Sequence, residues 1–322
     1  MRAFQVSEIG SPAAMAVLDR PEPAPGEVRL KIATCGLNFA DLLMQTGQYQ
    51  DTPPAPFTLG MEVAGTIDAL GAGVQGLKTG TRVAVFGGQG GLAEYGCYDA
   101  RVAIEIPAGM SMQEAAAFQI AYGTSHVALG YRANLKAGET LLVLGAAGGV
   151  GLTAVEIGKL MGATVIAVAR GADKLEVARK AGADHVIDAG HKDLRGALKA
   201  LGGVDVVYDP VGGDLFKAAF RACKPEARIL SIGFASGDVP NVPTNHLLVK
   251  NITVMGFYWG GYMKFKPAVI ADSLRELFAW YDAGKLHPHV SHVLPLEQAG
   301  EGIELLRTRK STGKVVIEIA PE

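Results

Sequence analysis

The sequence predicts an α/β fold in which a parallel β-sheet, covered by helices on both faces, is joined to a partly open antiparallel β-barrel. Two observations support this prediction. Over about the first 110 residues, short strands alternate with glycine and proline turns, a pattern typical of antiparallel barrels. From Thr140 onward, apolar strands alternate with helical segments, and repeated βαβ units of this kind form a doubly wound parallel sheet.

The barrel strands are predicted from segments in which apolar and polar residues alternate between turns. These segments cover 26–37, 62–74, 80–87 and 93–107. The alternation ends at an alanine-rich run, which predicts a helix over 112–121. Six later apolar runs predict the strands of the parallel sheet, at 141–145, 164–169, 185–188, 204–210, 228–233 and 252–257.

A glycine cluster follows the first of these six strands, in the sequence LLVLGAAGGVG at 141–151. A strand, a glycine turn and a helix in this order are typical of a turn that binds a pyrophosphate. We assign the tight turn to Gly148, the close approach of the ligand to Gly149, and the packing of helix on strand to Gly151. The N–H groups and the dipole of the following helix then face the negative charge. A glycine-rich turn without a ligand is the alternative.

The domain prediction follows from where this regular pattern ends. A dinucleotide-binding sheet usually stops after its sixth strand, which here ends at residue 257. Helices predicted at 269–285 and 296–310, and a strand at 313–319, therefore belong to the first domain. The predicted domains are 1–117 with 258–322, and 118–257, and we expect the active site in the cleft between them.

Composition excludes several classes of function. The 322 residues are 49% hydrophobic and 19% charged, with a net charge of −2, so nothing favours binding to nucleic acid. The N-terminus lacks the pattern of a signal peptide, and no apolar stretch has the length of a membrane span. The widely spaced Cys35, Cys97 and Cys223 suit neither a disulfide framework nor a thiolate zinc site. These features predict a cytoplasmic protein that binds no membrane.

Seven segments spread over the whole chain resemble the medium-chain dehydrogenase/reductase superfamily, in its zinc-independent quinone oxidoreductase (zeta-crystallin-like) branch. They are CGLNFADLLMQTGQY (35–49), LGMEVAGTIDALGAGV (59–74), GLAEYGCYD (91–99), AYGTSHVAL (121–129), GAAGGVG (145–151), VVYDPVGG (206–213) and TGKVVIEI (312–319). The resemblance implies a GroES-like substrate domain, a Rossmann domain, and reduction that depends on a nicotinamide cofactor. It also implies a homodimer formed by the edges of the sixth strand, whose apolar residues would template a second chain.

The resemblance also bears on zinc. Zinc-containing members hold the catalytic metal with cysteine, histidine and cysteine, and the matching positions here are Asn38, Met61 and Ile120. None of these side chains is a useful zinc ligand, and 74–95 lacks the cysteines of the structural zinc lobe. We therefore expect a reductase without a metal. The histidines of KLHPHVSHVLP (His287, His289 and His292) are interpreted as surface or hydrogen-bonded residues, with a metal site as the alternative.

The cofactor prediction depends on the end of the second parallel strand, where NAD-binding sites place a carboxylate. Ala169 occupies that position and is followed by Arg170, with Lys174 one turn later. A guanidinium binds a 2′-phosphate well, so NADPH is favoured and NADH stays possible. The alternative is that both basic residues are only solvated. Asp188 would repel a 2′-phosphate unless it pairs with Arg170.

The remaining cofactor contacts are implied by the resemblance. They are Asn38, Thr124, Ala147, Gly148, Gly149, Val150, Gly233, Phe234, Phe257, Trp259 and Lys314. Phe234 and Phe257 suit a buried core equally well.

The catalytic prediction concerns the segment from Asn38 to Tyr49. Tyr49 is the candidate proton donor, since a phenol can hydrogen-bond an oxyanion, and packing against the substrate is its alternative role. Asn38 would orient the nicotinamide or the substrate carbonyl, and Asp41 would cap or brace the loop.

The predicted acceptor is a small quinone or a related enone. An enoyl-thioester (acryloyl-CoA-like) reductase is the alternative, although Arg132, Lys264 and Lys266 do not group into an evident site for a CoA phosphate. A non-enzymatic nucleic-acid-binding or structural protein is the alternative from another class.

Overall fold

A computed structural model describes residues 1–320 and divides the chain into two compact units. The first unit comprises Met1–Ile120 and the segment from Pro288 onward, and the second unit comprises Ala121–His287. The strands are β1 (Arg2–Val6), β2 (Ala14–Val17), β3 (Glu27–Gly36), β4 (Phe57–Thr58), β5 (Glu62–Leu70), β6 (Arg82–Phe86), β7 (Tyr95–Asp99), β8 (Ala103–Glu105), β9 (Thr140–Leu144), β10 (Thr164–Ala169), β11 (His185–Asp188), β12 (Val204–Asp209), β13 (Cys223–Ser231), β14 (Thr253–Gly256), β15 (Val290–Pro295) and β16 (Lys314–Glu318).

The α-helices are α1 (Phe39–Gln45), α2 (Met112–Ala116), α3 (Gln119–His126), α4 (Gly149–Leu160), α5 (Ala172–Lys180), α6 (Leu194–Ala200), α7 (Gly213–Ala222), α8 (Thr244–Lys250), α9 (Trp259–Phe265), α10 (Pro267–Asp282) and α11 (Ala299–Arg307). A π-helical turn, Val127–Arg132, follows α3, and short 3-10 turns lie at Ala100–Val102 and Leu296–Gln298. Within residues 1–320, no helix is long and apolar enough to cross a membrane.

The first unit is built mainly of antiparallel strands. Its larger sheet has the order β15-β16-β3-β5-β6-β8, with β7 also paired to β3, and a smaller sheet has the order β2-β1-β4. Among the described strands of this unit, β15 and β16 alone pair in parallel. In β3 the alternate residues Val28, Leu30 and Ile32 are buried while Lys31 is exposed, as expected for a sheet with one apolar face.

The second unit contains a parallel sheet with the order β11-β10-β9-β12-β13-β14. Every pairing in it is parallel, and the first strand along the chain, β9, lies in the middle, which makes the sheet doubly wound. Residues Leu141–Leu144 of β9 are all buried, because helices cover both faces. The predicted α/β fold, with a Rossmann-type sheet and a GroES-like barrel, is thereby confirmed.

The run 112–121, predicted as one helix, contains the whole of α2 and the start of α3. Ser111 and Glu114 form a capping box at the start of α2, and the helix is capped by Ala117 at its other end. Ile120 lies in the first turn of α3, where the N–H groups have no acceptor within the helix, and its N–H donates to Glu62 Oε2 at 2.9 Å. A residue far along the sequence thus supplies an acceptor at the start of the second helix.

The division into units also differs from the predicted boundaries. The segment 258–287, predicted to return to the first domain, belongs to the second unit, and the first unit resumes at Pro288. The reason is the packing of α10 against α3. His126 Nδ1 lies 2.8 Å from Ser273 Oγ, and the ring of Trp280 meets the imidazole edge-on at 5.1 Å between centroids.

Candidate functional site

The glycine turn after β9 has the geometry of a phosphate-binding turn. Gly145 has a φ of +61°, and its carbonyl accepts the N–H of Gly148 at 2.9 Å. A Cβ on Gly151 would lie 2.2 Å from the oxygen of Gly145, so only glycine lets α4 start this close to the strand. The role predicted for Gly151 is therefore correct.

The role predicted for Gly148 needs correction. Its φ of −80° is accessible to any residue, and a Cβ there would make only an ordinary contact at 3.4 Å. The positive φ that the turn requires lies at Gly145, where a Cβ would also approach Val211 Cγ2 to 2.9 Å. Gly148 is exposed at the N-terminal end of α4, where the first N–H groups of a helix have no acceptor within the helix.

A buried hydroxyl cluster holds the helices behind this turn. Ser125 Oγ lies 2.9 Å from the carbonyl of Val150, 2.8 Å from Thr153 Oγ1 and 3.1 Å from Tyr208 Oη. Thr153 Oγ1 also donates to the carbonyl of Ala121 at 2.9 Å. The cluster ties α3 to α4 and β12, so the positions of the predicted contacts Thr124, Ala147, Gly149 and Val150 depend on these bonds.

At the end of β10, Arg170 is exposed and Lys174 is half-buried on α5. The carboxylate that could oppose a phosphate there, Asp188, accepts the N–H of Gly171 and the N–H of Gly190, both at 2.7 Å. These bonds, followed by the positive charge of Arg170, hold the pKa of Asp188 below its ordinary value. Asp188 therefore braces the loop that carries Arg170 and keeps its negative charge. Within residues 1–320 it forms no ion pair with Arg170, so the pairing that would offset its repulsion of a 2′-phosphate is not shown.

The residues predicted after β13 and β14 differ in exposure. Phe234 is 43% exposed and Phe257 only 7%, so Phe257 has the core position that was an alternative for both. Trp259 is buried against α3, where a Cβ on Gly123 would approach Trp259 Nε1 to 2.7 Å. Gly233 lies two residues after the end of β13 and precedes Phe234, at the carboxyl edge of the sheet.

A brace that sequence reasoning did not single out lies at the end of β12. Asp209 is buried, and its Oδ1 accepts the N–H groups of Val211 at 2.8 Å and Gly212 at 2.9 Å. Burial raises the pKa of this carboxyl. An aspartate directly before Pro-Val-Gly-Gly at a strand end was the available signal, because such a side chain commonly holds a turn.

In the first unit, Lys314, Glu62 and Asn38 form a buried polar network, here called the Lys314 network. Lys314 Nζ donates to Glu62 Oε1, and at 2.8 Å to both Asn38 Oδ1 and the carbonyl of Leu37. Asn38 Nδ2 donates to Glu62 Oε1 at 3.0 Å. Lys314 is 5% exposed and Glu62 1%, so each charge depends on the other for compensation.

Sequence reasoning named Asn38 and Lys314 separately and missed Glu62, which joins them. The available signal was a carboxylate in the otherwise apolar start of β5, since a buried charge needs a partner. A second missed residue is Gln119. Its side chain is buried, and Nε2 has no hydrogen-bond partner within residues 1–320.

Asp41 lies beneath the Lys314 network and is fully buried. Its Oδ2 accepts the N–H of Asn38 at 2.8 Å, and its Oδ1 accepts the N–H of Gly60 at 3.1 Å. Burial raises the pKa of Asp41 to about 6, against the opposing effects of these bonds and of the Lys314 charge. Asp41 thus caps α1 and braces the loop before β5, the role expected for it.

Tyr49 packs against the apolar core of the first unit. Its carbonyl accepts the N–H of Thr52 at 3.1 Å and the Thr52 hydroxyl at 2.6 Å, which closes the turn after α1. This contact is with the protein's own core, so packing of Tyr49 against a substrate and proton donation by its phenol both stay predictions.

The residues at the superfamily's zinc-ligand positions do not fit a zinc ion. Asn38 belongs to the Lys314 network, Met61 is buried, and Ile120 offers an alkyl side chain. Across residues 1–320, no group of three histidine, cysteine or acidic side chains is arranged to hold a metal ion.

The histidines considered as an alternative metal site make hydrogen-bond contacts with other residues of the chain, through the side chain in two of them and through the backbone in the third. His289 Nε2 and Thr312 Oγ1 are 2.9 Å apart, and His292 Nδ1 and Ser291 Oγ are also 2.9 Å apart. The backbone N–H of His287 donates to Glu156 Oε1 at 2.7 Å.

A doubly wound parallel sheet with a glycine phosphate turn, in one chain with a GroES-like barrel, defines a class of dinucleotide-dependent oxidoreductases. Two family models match the chain: "Alcohol dehydrogenase GroES-like domain" over residues 24–108 and "Zinc-binding dehydrogenase" over residues 149–273. Quinone oxidoreductase-like protein 2 of Mus musculus is 38% identical over 322 residues, covering 99% of this chain and 92% of the relative.

Two solved structures are also similar. The quinone oxidoreductase of Thermus thermophilus, solved alone and with NADPH, is 32% identical with a TM-score of 0.88, covering 99% of this chain and 100% of that one. The Escherichia coli quinone oxidoreductase, complexed with NADPH, is 29% identical with a TM-score of 0.91 and the same coverage. The chain belongs to the medium-chain dehydrogenase/reductase superfamily, and its similar relatives include quinone oxidoreductases and proteins named after them. The predicted resemblance is confirmed.

Proposed function

We propose that this protein is an NADPH-dependent reductase that works without zinc and transfers a hydride to a quinone or a related small enone. The observation that carries the proposal is the end of β10, where Arg170 is exposed and the carboxylate of Asp188 is held in place by two backbone N–H groups. The NADPH complexes of two similar quinone oxidoreductases support the choice of cofactor.

The glycine turn and the end of β10 fit a dinucleotide. A Cβ on Gly151 would fill the space between turn and helix, and exposed Gly148 leaves the N-terminal end of α4 accessible to a pyrophosphate. Arg170 and Lys174 would hold the 2′-phosphate, with further contacts from Thr124, Gly233, Phe234, Phe257 and Trp259. The bound cofactor would supply the hydride.

In the first unit, we propose that Asn38 orients the carbonyl of the acceptor or the nicotinamide. Its amide cannot rotate freely, because Oδ1 accepts from Lys314 while Nδ2 donates to Glu62. Lys314 would hold this orientation in addition to its predicted contact with the cofactor. Tyr49 is the proposed proton donor to the reduced oxygen.

The zinc-free part of the proposal rests on the residue types at the superfamily's ligand positions. The Lys314 ammonium already contacts Asn38, which stands at the first of these positions, and Glu62. A fixed positive charge at that place polarises a nearby oxygen without a metal. Activity that persists after dialysis against a chelator would support this part, and loss of activity that zinc restores would overturn it.

The deciding experiment follows the absorbance of NADPH and of NADH, each with 1,4-benzoquinone, 9,10-phenanthrenequinone and crotonyl-CoA as acceptor. We expect rapid oxidation of NADPH by the quinones. Turnover with crotonyl-CoA alone would favour the enoyl-thioester reductase. If none of the three acceptors supports oxidation of either nucleotide and the protein is retained on a nucleic-acid column, a non-enzymatic nucleic-acid-binding protein would be favoured.

Tyr49→Phe tests the proton donor, and Tyr95→Phe is the matched control because it keeps the ring that stacks with the Arg20 guanidinium. We expect Tyr49→Phe to lower kcat and the control to keep it. An unchanged kcat for Tyr49→Phe would leave only the packing role.

For assembly, we propose a homodimer in which β14, at the edge of the parallel sheet, pairs with β14 of a second copy. The measurement is the molar mass in solution by light scattering. A monomeric mass at micromolar concentration would contradict it. We also propose that the protein acts in the cytoplasm, as the sequence predicts.

A further inference from the structure

A cavity of about 300 Å³ in the second unit is surrounded by positive charge. It lies among α6, α7 and α8, and four of its seven lining residues carry a fixed positive charge while none is acidic. The four are Arg195, Lys199, Arg221 and Lys250. The whole chain has a net charge of −2, so this concentration of cations is local.

Two carboxylates near Arg195 and Lys199 along the chain have other partners. Asp193 accepts the N–H of Gly196 at 2.8 Å and caps α6, while Asp205 pairs with Lys224 at 2.7 Å. Within residues 1–320, the exposed side chains of Arg195, Lys199 and Arg221 make no ion pair. Like charges grouped without a counter-charge repel one another, and a bound anion removes that repulsion.

Lys250 differs from the other three because its position is fixed. Its Nζ donates to the carbonyl of Cys223 at 2.8 Å and to that of Arg221 at 3.3 Å, at the C-terminal end of α7. A cation there is favourable to the helix, and it keeps one positive charge at the cavity wall. The cavity thus has one ammonium, that of Lys250, held by hydrogen bonds, and three cations on exposed side chains that can change rotamer.

The floor of the cavity is apolar. Phe220 and Ile252 line it and are buried, and the ring of His246 lies 6.2 Å from that of Phe220. The volume is at the lower end for small-molecule sites, which suits a compact ligand. Arginine forks match the geometry of phosphate oxygens, so phosphate groups are the anions these residues recognise best.

This cavity is separate from the glycine turn. Ile252 directly precedes β14, and Arg221 lies near the end of α7 just before β13, so the cavity is at the amino ends of the parallel strands. The glycine turn follows β9 and is therefore at their carboxyl ends. One ligand cannot occupy both places at once.

We propose that this cavity is a second anion site that binds a small diphosphate, with its phosphates on Arg195, Lys199, Arg221 and Lys250 and any carbon portion against Phe220. The site is independent of the proposed reductase activity. The chemical class it would take is that of compact metabolites carrying two linked phosphates.

The test titrates inorganic pyrophosphate into the full chain by calorimetry, with saturating NADP⁺ present to occupy the proposed cofactor site. We expect saturable binding with one pyrophosphate per chain. The variant Arg195→Gln/Lys199→Gln should weaken it by about a hundredfold, at about tenfold for each charge-assisted contact. The control Lys180→Gln/Lys285→Gln removes the same charge from exposed positions elsewhere on the unit and should bind like the parent.

Three results would overturn the proposal. The first is equal weakening by the variant and the control, which would indicate non-specific attraction. The second is binding that disappears when NADP⁺ is added. The third is binding to a single-stranded oligonucleotide without any binding of pyrophosphate. Repeating the titration in Arg170→Gln without NADP⁺ keeps the result interpretable even if the proposed cofactor preference is wrong.

Discussion

The glycine turn of the second unit and the Lys314 network of the first unit are constructed in opposite ways. The turn consists of backbone atoms from one short segment, 145–151, and its charged neighbour Arg170 is exposed. The Lys314 network consists of side chains from residues 38, 62 and 314, and it is buried. The turn therefore depends on local backbone space, whereas the network depends on charges that compensate one another. Substitutions in the glycine turn and in the Lys314 network should therefore lower stability for different physical reasons.

The largest effect is expected for Lys314→Met, which leaves Glu62 buried without its counter-charge. Breaking one side of a buried pair typically lowers the free energy of unfolding by about 3–5 kcal/mol. Urea denaturation measures this change. Lys310→Met is the control, because Lys310 is exposed and its loss should change stability by less than about 0.5 kcal/mol. The double variant Lys314→Met/Glu62→Gln should recover part of the loss, and additive losses would contradict a coupled pair.

A smaller effect, dependent on pH, is expected for Asp41. Its pKa rises from 3.8 to about 6 on folding, so the folded state binds the proton more tightly than the unfolded state. The stability from this group is fully present at low pH and is lost as pH rises through about 6. That corresponds to up to about 3 kcal/mol between about pH 4 and pH 7.

The comparison of the parent with Asp41→Asn isolates this contribution. Carboxylates with lowered pKa values, such as Asp184 and Asp188, change stability in the opposite direction, but they are common to both proteins. We expect the difference in unfolding free energy between parent and variant to fall with pH. Parallel pH profiles would show that Asp41 has an ordinary pKa.

In the glycine turn, Gly151→Ala should mainly lower stability, whereas Gly148→Ala should mainly weaken NADPH binding. Gly151→Ala would place a Cβ 2.2 Å from the oxygen of Gly145, and overpacking of this kind lowers stability by about 1–3 kcal/mol. Gly148→Ala meets only an ordinary contact and, at the N-cap of α4, should lower stability by about 0.5–1 kcal/mol. It should nevertheless weaken NADPH binding, because it fills exposed space at the start of α4. Thermal unfolding with and without NADPH distinguishes the two, and equal stabilities would contradict the assigned roles.

The smallest effect on folding, and the most selective effect on binding, is expected for Arg170→Gln. The affinity for NADPH should fall by about tenfold to a hundredfold, while the affinity for NADH stays the same. Arg179→Gln is the control, since Arg179 lies on α5, the helix that follows Arg170, and pairs with Glu176. A fluorescence titration of each nucleotide measures the change. Equal loss for both nucleotides would place Arg170 outside the 2′-phosphate site.

Most of the fold could be predicted because its signals are local. The six parallel strands and the helix Ala299–Arg307 lie within the predicted runs or within a few residues of them, since burial on both faces or on one face leaves a direct periodicity in the sequence. The boundary at 258 was less predictable. The packing of α9 and α10 on the second unit depends on contacts of His126 with Ser273 and Trp280. Because these residues are distant in sequence, no local pattern indicates that they are in contact.

The doubly wound sheet, the glycine turn and the lack of zinc-ligand side chains at the superfamily's positions could all be predicted from the amino-acid sequence. Each of these features depends on adjacent residues or on residue types, so it can be predicted without knowing how the chain packs. Three features became visible only in the folded chain: Glu62 joins Asn38 to Lys314, Asp188 is held by Gly171 and Gly190, and four cations surround one cavity. These features depend on distances between segments far apart in the chain, and a charge shows its partner only when folding has brought the two together.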